Sequence, residues 1–321
     1  MPKYSIVTPM YNSFDLMDKY FDSLNRQKYQ DFEVIIVDDC SSDDSYSRLM
    51  EYAKKSKLNI IVCQTEKNAG PGNARNIGME RASGEWLTFI DNDDWVSDDF
   101  LLKIEDVLHS NDVHCVIYDY YIQKDNEQSV ARSMYKGCNG PVTVAECMIY
   151  VRNHTIGKFY KLADCKEKNV RFPNLRRCED VAFVVRAIEA CGSAYYLKEP
   201  LYYYYQRSTS LSNNKKLDES DMIEAFSILE TELGDKYPQE LKEKSVSDLL
   251  YGVLLMMCKA GKGKSELERY ICEYEKKYPA WWNCEILDSL GKAKKIFLLA
   301  ARFKRFSIMK KLAYIHSRLI G

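Results

Sequence analysis

The chain up to about residue 212 is predicted to fold as an α/β domain, in which helices flank a mostly parallel sheet. The rest is predicted to be helical. Three observations predict this. Apolar runs such as FEVIIVDD (residues 32–39) do not alternate cleanly with polar residues, which is typical of strands buried on both faces. Helical stretches separate these runs, and acidic residues follow two of them. Beyond Asn214 only helical patterns remain.

Each element follows from its local pattern. Runs of β-branched and apolar residues predict strands, and the helical spacing of Val181, Val184, Val185 and Ile188 predicts a helix that stops at Gly192. The predicted strands are residues 4–8, 32–37, 59–64, 85–90, 112–121 and 195–205, and the predicted helices lie around 16–24, after 41–43, over 71–82 and from 181. The change of pattern places a domain boundary near residue 213, which divides the chain into 1–212 and 213–321.

Composition restricts the class of protein. The chain has 321 residues, of which 46% are hydrophobic and 29% charged, and its net charge of −1 argues against a nucleic-acid partner. Eleven cysteines are scattered singly without zinc-site spacing, so we expect reduced thiols in a cytoplasmic protein. No apolar run approaches the ~18 residues of a membrane-spanning helix.

The most informative segment is FIDNDDWVSDDF (residues 89–100), where an apolar run ends in Asp91, Asn92, Asp93 and Asp94. Two interpretations remain open from the residues alone. The acids can start the helix that follows, or they can hold a divalent cation such as Mg²⁺ or Mn²⁺. A calcium-binding helix–loop–helix is excluded, because its twelfth loop position would be Leu102 rather than glutamate. Since so few carboxylates cannot fill an octahedral shell, the diphosphate of a nucleotide is the expected source of the remaining ligands.

Four segments in this order make the sequence resemble the inverting glycosyltransferases of family 2, which have the GT-A fold. The segments are YSIVTPMYN, FEVIIVDDCSSDDS, EKNAGPGNARNIGMERASGEWLTFIDNDDW and RCEDVAF, and the resemblance covers roughly residues 4–212. It implies a Rossmann-like nucleotide-sugar transferase of the type that builds bacterial surface glycans. The segments are specific for the family but not for the sugar.

The resemblance implies a donor site around the acidic cluster. Asp93 corresponds to the metal ligand of the Asp-Xaa-Asp motif and Asp91 lies by the ribose or a metal-bound water, so Mn²⁺ or Mg²⁺ is the expected cofactor. Asp39 is expected to accept the imide N–H of uracil, which indicates UDP; a helix cap is its alternative role. For Arg75, an ion pair with Asp38 or Asp91 is an equal alternative to a nucleotide contact. The donor contacts implied in addition to Asp39 and Asp91 are Pro9, Tyr11, Asn12, Arg75, Asn92, Arg207 and Ser210.

The segment RCEDVAF supplies a second acidic pair. Inversion requires a base that takes the proton of the acceptor hydroxyl. The resemblance assigns this role to Asp180, with Glu179 as a neighbour that orients or binds the acceptor. The alternative is that both carboxylates only stabilise a helix N-terminus. Arg176 and Arg177 are expected to lower the carboxylate pKa, so that the base is ionised at neutral pH.

Other polar and aromatic residues near these segments receive structural interpretations. In GKFYK, a solvated side chain is expected for Lys158, which is only a weak candidate for contact with the acceptor. The lone His154 is expected to be structural, and Tyr202–Tyr205 are expected to be strand and core aromatics.

The C-terminal segment is basic and amphipathic. No acidic residue follows Asp288, and Ile308, Leu312, Ile315 and Leu319 fall on one helical face. This pattern indicates a peripheral contact with the anionic inner face of a membrane, which suits an acceptor glycan carried on a lipid. The alternative is a basic helix that packs on the acidic catalytic domain or forms a dimer contact.

Together these features predict a metal-dependent inverting transferase of the hexosyl or N-acetylhexosaminyl class. It would move a sugar from a nucleoside-diphosphate donor to a hydroxyl of a surface glycan such as capsule, exopolysaccharide or O-antigen. A sugar-phosphate nucleotidyltransferase is one alternative, but it needs a glycine-rich N-terminal loop with a basic residue, which TPMYNSFD lacks. A non-catalytic glycan-binding module on the same fold is the other, and the complete acidic motifs argue against it.

Overall fold

A computed structural model of the chain describes residues 1–125, 127–206 and 219–320, with side chains described as far as residue 316. The described residues form two compact units. The first comprises Met1–Cys147 and Arg152–Gln206, and the second comprises Met148–Val151 and the described residues from 219 onward. The predicted boundary between 212 and 213 lies outside the described residues.

The strands all belong to the first unit, as far as the chain is described. They are β1 (Tyr4–Met10), β2 (Phe32–Asp38), β3 (Ile60–Gln64), β4 (Trp86–Phe89), β5 (Trp95–Val96), β6 (Cys115–Lys124), β7 (Glu127–Ala131), β8 (Gly140–Val142), β9 (Lys158–Lys161) and β10 (Ala194–Tyr205).

The helices run through both units. They are α1 (Asp18–Asn25), α2 (Ser45–Lys55), α3 (Pro71–Arg81), α4 (Phe100–Ser110), α5 (Val144–Tyr150), α6 (Leu162–Glu167), α7 (Glu179–Cys191), α8 (Ser220–Leu233), α9 (Pro238–Ser245), α10 (Leu254–Lys259), α11 (Lys264–Lys277), α12 (Ile286–Ser289), α13 (Lys292–Arg302) and α14 (Phe306–Ile320).

The strands form one mixed sheet in the order β3-β2-β1-β4-β9-β6-β10-β5, with β7 paired to β6 and β8 to β10. The strands β1 to β4 pair in parallel, and β6 pairs in parallel with β10. The other pairs are antiparallel. The predicted α/β class is therefore confirmed, while the parallel arrangement is confined to part of the sheet. Hydrophobic patterning reports burial rather than strand direction, so the sequence could not distinguish the two arrangements.

The parallel strands bring the predicted motifs to one edge. β1, β2 and β4 point the same way and end at Met10, Asp38 and Phe89. The residues that follow each strand therefore emerge at the carboxyl edge of the sheet, where open α/β sheets bind their ligands.

Helix α3 lies very close to β1. A β-carbon added at Gly78 would lie 2.3 Å from Cγ1 of Val7, so only glycine allows this approach. Ala74 and Met79 are buried on the same helix. The close packing fixes α3, and with it Arg75, beside the carboxyl edge of the sheet.

Helix α7 confirms the periodicity that predicted it. Val181, Val184, Val185 and Ile188 are all buried. The helix ends at Gly192, whose φ of 71° is the left-handed conformation that favours glycine at a helix C-terminus.

The described part of the second unit contains helices but no strand, as predicted. A π-helical segment, Val246–Val253, connects α9 to α10. The buried ammonium of Lys244 lies 3.3 Å from the carboxylate of Asp248 and donates to the carbonyl of Val151, also across 3.3 Å. No helix among residues 219–320 or in the described first unit is long and apolar enough to cross a bilayer.

Candidate active site

The acidic loop (residues 91–94) follows β4 and turns sharply. The main-chain N–H of Asp94 donates to the carbonyl of Asp91 across 3.1 Å. Two residues of β10 form hydrogen bonds with the loop. The hydroxyl of Tyr202 accepts from the N–H of Asp91 at 3.1 Å and donates to Oδ2 of Asp94 at 2.5 Å. The N–H of Tyr205 donates to Oδ1 of Asp94 at 2.7 Å. Strand β10 therefore fixes the position of the loop.

Asp94 supports this loop from a buried position. Burial raises the pKa of Asp94 well above its usual range, and the charges of Asp93 and Asp91 raise it further, against the opposing hydrogen bonds from Tyr202 and Tyr205. Both carboxyl oxygens have protein partners. The helix-start interpretation of the four residues is wrong, because α4 begins later, at Phe100.

Arg75 connects the two acidic motifs. Its guanidinium is buried and lies 2.8 Å from Oδ1 of Asp91 and 3.3 Å from Oε1 of Glu179. The ion pair expected with Asp91 is confirmed, whereas Asp38 instead accepts hydrogen bonds from Ser41 and Gln64. The acidic loop and the start of α7, far apart in sequence, thus meet at a single cation.

The second acidic pair opens α7. Glu179 and Asp180 are the first two helical residues, where the helix dipole favours negative charge. Glu179 is buried, and a β-carbon added at Gly72 of α3 would lie 2.9 Å from its Cγ. Helices α3 and α7 therefore approach each other closely where Arg75 and Glu179 pair.

The surroundings of Asp180 make it a weaker acid than an ordinary aspartate. Burial first, and then the charge of Glu179, raise the pKa of Asp180 to about 7, against the opposing charges of Arg75 and Lys158. Burial also raises the pKa of Glu179, against the charge of Arg75. The prediction that Arg176 and Arg177 would lower the carboxylate pKa is therefore wrong: other cations oppose the shift, and desolvation outweighs them.

The segment after β1 is tied to the segment after β2. Asn12 has a positive φ of 48°. Its N–H donates to Oγ of Ser41 at 2.8 Å, and its side-chain oxygen accepts from the N–H of Ser42 at 2.8 Å. Tyr11 is exposed beside it and Pro9 is partly buried. The amide of Asn92 donates to Oγ of Ser13 across 2.6 Å, which links the acidic loop to the same edge.

Asp39 is buried immediately after β2 and organises the loop before α3. Its carboxylate accepts hydrogen bonds from the N–H groups of Ala69 and Gly70, at 3.1 and 2.7 Å, and from the hydroxyl of Thr65 at 3.1 Å. The helix-cap alternative is wrong, because α2 begins at Ser45, after Asp44. Three partners leave acceptor capacity on the two oxygens, so a further contact to a base remains chemically open.

Lys158 is fully buried, which contradicts the expected solvated side chain. Its ammonium donates to the carbonyls of His154 and Ile156 at 2.7 and 3.0 Å. His154 is partly buried, and desolvation together with the charge of Lys158 lowers its pKa well below the usual range. The histidine is bonded within the fold, as expected.

A sequence model described as glycosyl transferase family 2 matches residues 5–171. The chain belongs to this family. The match spans the ends of β1, β2 and β4 and therefore includes the acidic loop and Arg75.

Several relatives of the family 2 chain act on polymers of ribitol phosphate, by their names. The poly(ribitol-phosphate) β-N-acetylglucosaminyltransferase TarS of Staphylococcus aureus is 30% identical over 241 residues, which are 73% of this chain and 41% of TarS. A poly(ribitol-phosphate) β-glucosyltransferase of Bacillus spizizenii is 33% identical over 190 residues, 58% of this chain and 29% of that protein. The chain thus spans well under half of these relatives.

Solved structures confirm the GT-A-type fold. Residues 1–349 of Staphylococcus aureus TarS in complex with UDP match with a TM-score of 0.71 at 22% identity, over 98% of this chain and 91% of that one. A mannosyltransferase of Pyrobaculum calidifontis in complex with GDP-mannose and Mn²⁺ matches with a TM-score of 0.54 at 16% identity, over 94% and 86% of the two chains.

The acidic loop of this family 2 chain has a donor set that suits a divalent cation. Asp94 accepts hydrogen bonds from Tyr202 and Tyr205 through both oxygens. The other two carboxylates of the loop are Asp91, whose Oδ1 pairs with Arg75, and Asp93, and both are partly buried. Within the described residues no three His, Cys, Asp or Glu side chains form a metal cage. Mg²⁺ and similar ions commonly bind one or two carboxylates and take their other ligands from phosphate and water, so the loop fits such an ion.

Three features of the site could not be predicted from the sequence. Tyr202 is predicted to be a core aromatic of a strand, because a hydrophobic pattern predicts that a side chain is buried but not which group its hydroxyl binds. The burial of Lys158 has no signal in GKFYK. The link between Asn92 and Ser13 joins residues 79 positions apart. The two predicted donor contacts Arg207 and Ser210 lie outside the described residues.

Proposed function

We propose that this chain is an inverting glycosyltransferase that moves a sugar from a nucleoside-diphosphate donor, UDP being the expected nucleotide, to a hydroxyl of a cell-surface glycan. The observation that carries this proposal is the pairing of Arg75 with both Asp91 and Glu179. It joins the loop suited to a metal–diphosphate group to the helix that presents Asp180. A donor and an acceptor can then react within one site.

Asp180 is the proposed base. In an inverting transfer the acceptor oxygen attacks the anomeric carbon on the face opposite the diphosphate, and a carboxylate removes the proton of that oxygen. A pKa raised to about 7 makes Asp180 a stronger base than an ordinary aspartate while leaving about half of it ionised at neutral pH. Glu179 is the proposed neighbour that orients the acceptor, as its bond to Arg75 already fixes its position.

Asp93 and Asp91 are the proposed ligands of Mn²⁺ or Mg²⁺, which would supply positive charge beside the diphosphate as the sugar departs. Pro9, Tyr11, Asn12, Asp39 and Asn92 are the proposed contacts to the nucleoside, because Pro9 lies at the end of β1 and the other four follow β1, β2 or β4 at the same edge of the sheet. Arg75 is proposed to contact the donor while it holds the acids, and Arg207 and Ser210 are proposed diphosphate contacts.

The donor and acceptor classes come from relatives. TarS has been solved with UDP and with UDP-GlcNAc, and relatives are named as N-acetylglucosaminyl- and glucosyltransferases of ribitol-phosphate polymers. We propose a UDP-hexose or UDP-N-acetylhexosamine donor and a hydroxyl-rich polymer of the teichoic-acid or capsule kind as acceptor. We also propose that this acceptor is carried on a lipid and that the protein works peripherally at the inner face of a membrane.

Calorimetric titration of UDP with and without Mn²⁺ tests the donor site. Binding should strengthen with Mn²⁺, and Asp93→Ala should weaken the metal-dependent part roughly tenfold or more, since one charged contact is lost. Asp112→Ala, which removes an exposed acid after α4, should change nothing.

Product analysis then separates the candidate functions. Release of UDP from a UDP-sugar that depends on an added polyol acceptor supports transfer. Pyrophosphate release from UTP and a sugar phosphate would instead show a nucleotidyltransferase. Glycan binding without turnover of any of the nucleotide sugars tried would show a binding module.

A further inference from the structure

Helix α13 exposes a continuous apolar row. Ile296, Leu299 and Phe303, the last immediately after the helix, are 51%, 54% and 59% exposed. Their spacing of three and four residues places them on one side. The other side is buried through Phe297, Leu298 and Ala301. Apolar residues scattered singly over a surface need no explanation, but a contiguous row indicates a surface that contacts something else.

Basic side chains accompany this row. Lys292, Lys295 and Arg302 are exposed on the same side of α13, and together with the apolar row they form what we call the α13 face. No acidic residue follows Asp288, whereas nine lysines and arginines do. Asp288 is itself a neighbour of the face, with its carboxylate 4.0 Å from the ammonium of Lys295, and it is almost fully exposed. The face is therefore both apolar and positively charged.

Side chains next to the α13 face continue its character. The guanidinium of Arg302 lies over the ring of the partly exposed Trp282, 4.5 Å from its centre. On α14, Ile308, Tyr314 and Ile315 are exposed, while the side chain of Leu319 lies beyond the described side chains. The face predicted from the sequence on α14 is thus open at Ile308 and Ile315, and the larger apolar row lies on α13.

We infer that the α13 face docks on an anionic lipid surface. An amphipathic helix of this kind lies in the plane of the headgroups, with apolar side chains inserted and lysines and arginines over anionic lipids. A second copy of the chain is a poorer partner, because two such faces would bring like charges together. The inference rests on the proposed function at the inner face of a membrane and identifies the part of the protein that would contact the lipid. Lipid binding by this face does not itself require sugar transfer.

Vesicle co-sedimentation of the whole chain tests the inference. The protein should bind phosphatidylcholine vesicles that contain phosphatidylglycerol much more strongly than pure phosphatidylcholine, and high salt should release it. Leu299→Ser with Phe303→Ser should weaken binding at least about tenfold, because two inserted apolar side chains are lost. Lys292→Gln with Lys295→Gln should weaken it by roughly tenfold or more, as each cation near an anionic surface contributes about a factor of five.

Matched variants away from the α13 face serve as controls. Val130→Ser removes an equally exposed apolar side chain from β7, and Lys54→Gln with Lys57→Gln removes two exposed lysines near the end of α2. Both should bind vesicles as the parent does. Equal binding to neutral and anionic vesicles, no binding to either, or equal losses in the controls would overturn the inference.

Two further measurements distinguish a lipid surface from a protein partner and from the active site. If sedimentation velocity shows a dimer that Leu299→Ser with Phe303→Ser dissociates, while vesicle binding is unchanged, the face contacts protein and the lipid inference is wrong. UDP binding in the same variants should match the parent. Vesicle binding without any sugar transfer would leave the α13 face in place and reject only the proposed enzymatic function.

Discussion

The acidic loop and the start of α7 present the same kinds of side chain in different surroundings. In each, one acid pairs with Arg75: Asp91 in the loop and Glu179 in the helix. Their companions differ. Burial raises the pKa of both, but Asp94 is fully buried with both oxygens bonded to Tyr202 and Tyr205, whereas Asp180 keeps part of its surface accessible and has a pKa of about 7. Two aspartates can therefore differ in role because their burial and hydrogen-bond partners differ: one carboxyl supports the loop, and the other is suited to proton transfer.

The largest effect expected from breaking this contrast is in Asp180→Asn. The amide keeps the shape but cannot accept the proton, so we expect kcat to fall by about a thousandfold, within the usual range for removal of a general base. UDP affinity should stay within about twofold of the parent, which calorimetry checks.

Stability measurements show whether Asp180→Asn loses activity because it misfolds. Because the folded-state pKa of Asp180 lies above its usual value, ionising Asp180 opposes folding as the pH rises from about 4 through about 7. The neutral amide avoids this, so the midpoint of thermal unfolding at pH 8 should be equal or higher. Transfer within tenfold of the parent would move the role of base to another residue.

Arg75→Met should disturb both the acidic loop and the start of α7. It leaves Asp91 and Glu179 without their shared cation, and removal of one partner from a buried ion pair costs about 3–5 kcal/mol of unfolding free energy. Urea unfolding measures this loss. Arg81→Met, at the exposed end of the same helix, is the control and should change stability by less than about 0.5 kcal/mol. A small loss in Arg75→Met would show that the two acidic motifs do not depend on one another.

A pH profile sharpens the difference between Asp94 and Asp180. The base works only when deprotonated, so kcat/KM should rise tenfold per unit of pH below about 7 and level off above it. Asp94 is not expected to contribute, because its oxygens are held by Tyr202 and Tyr205. A profile that is flat between pH 5 and 8 would contradict the assignment of Asp180.

The smallest effect is expected for Tyr202→Phe. This change removes the hydroxyl that contacts both the N–H of Asp91 and the carboxyl of Asp94, which costs about 1–3 kcal/mol for buried polar groups. Mn²⁺-dependent UDP binding should weaken more than binding without metal. Tyr203→Phe, at a partly exposed neighbour on β10, should leave both unchanged. Equal weakening in the two variants would show that Tyr202 does not position the loop.

Features that depend on local pattern could be predicted from the sequence. Hydrophobic runs predict the strands that end at Met10, Asp38 and Phe89 to within two residues, and helical spacing predicts α7 from Val181, two residues after its start at Glu179. Because parallel strands end at one edge, the acids after β2 and β4 could also be expected near each other.

Features that depend on enclosure could not be predicted. The pKa of Asp180 is set first by desolvation, which only the packed structure determines, and nearby arginines in the sequence gave the wrong direction. Lys158 lies in an ordinary-looking segment yet is fully buried against main-chain carbonyls. The antiparallel pairing of β9 with β4 and β6 likewise has no counterpart in composition.

The contact between Gly72 and Glu179 has a consequence for anyone who redesigns this protein. Even a methyl group at position 72 would lie 2.9 Å from Cγ of Glu179 and would displace the carboxylate from Arg75. Substitutions at positions 72 and 179 must therefore be designed together. A mutant library that randomises position 72 alone would disturb the bond between Glu179 and Arg75 in most clones. Aspartate at 179 would not restore it, because aspartate also carries a Cγ and reaches less far toward Arg75.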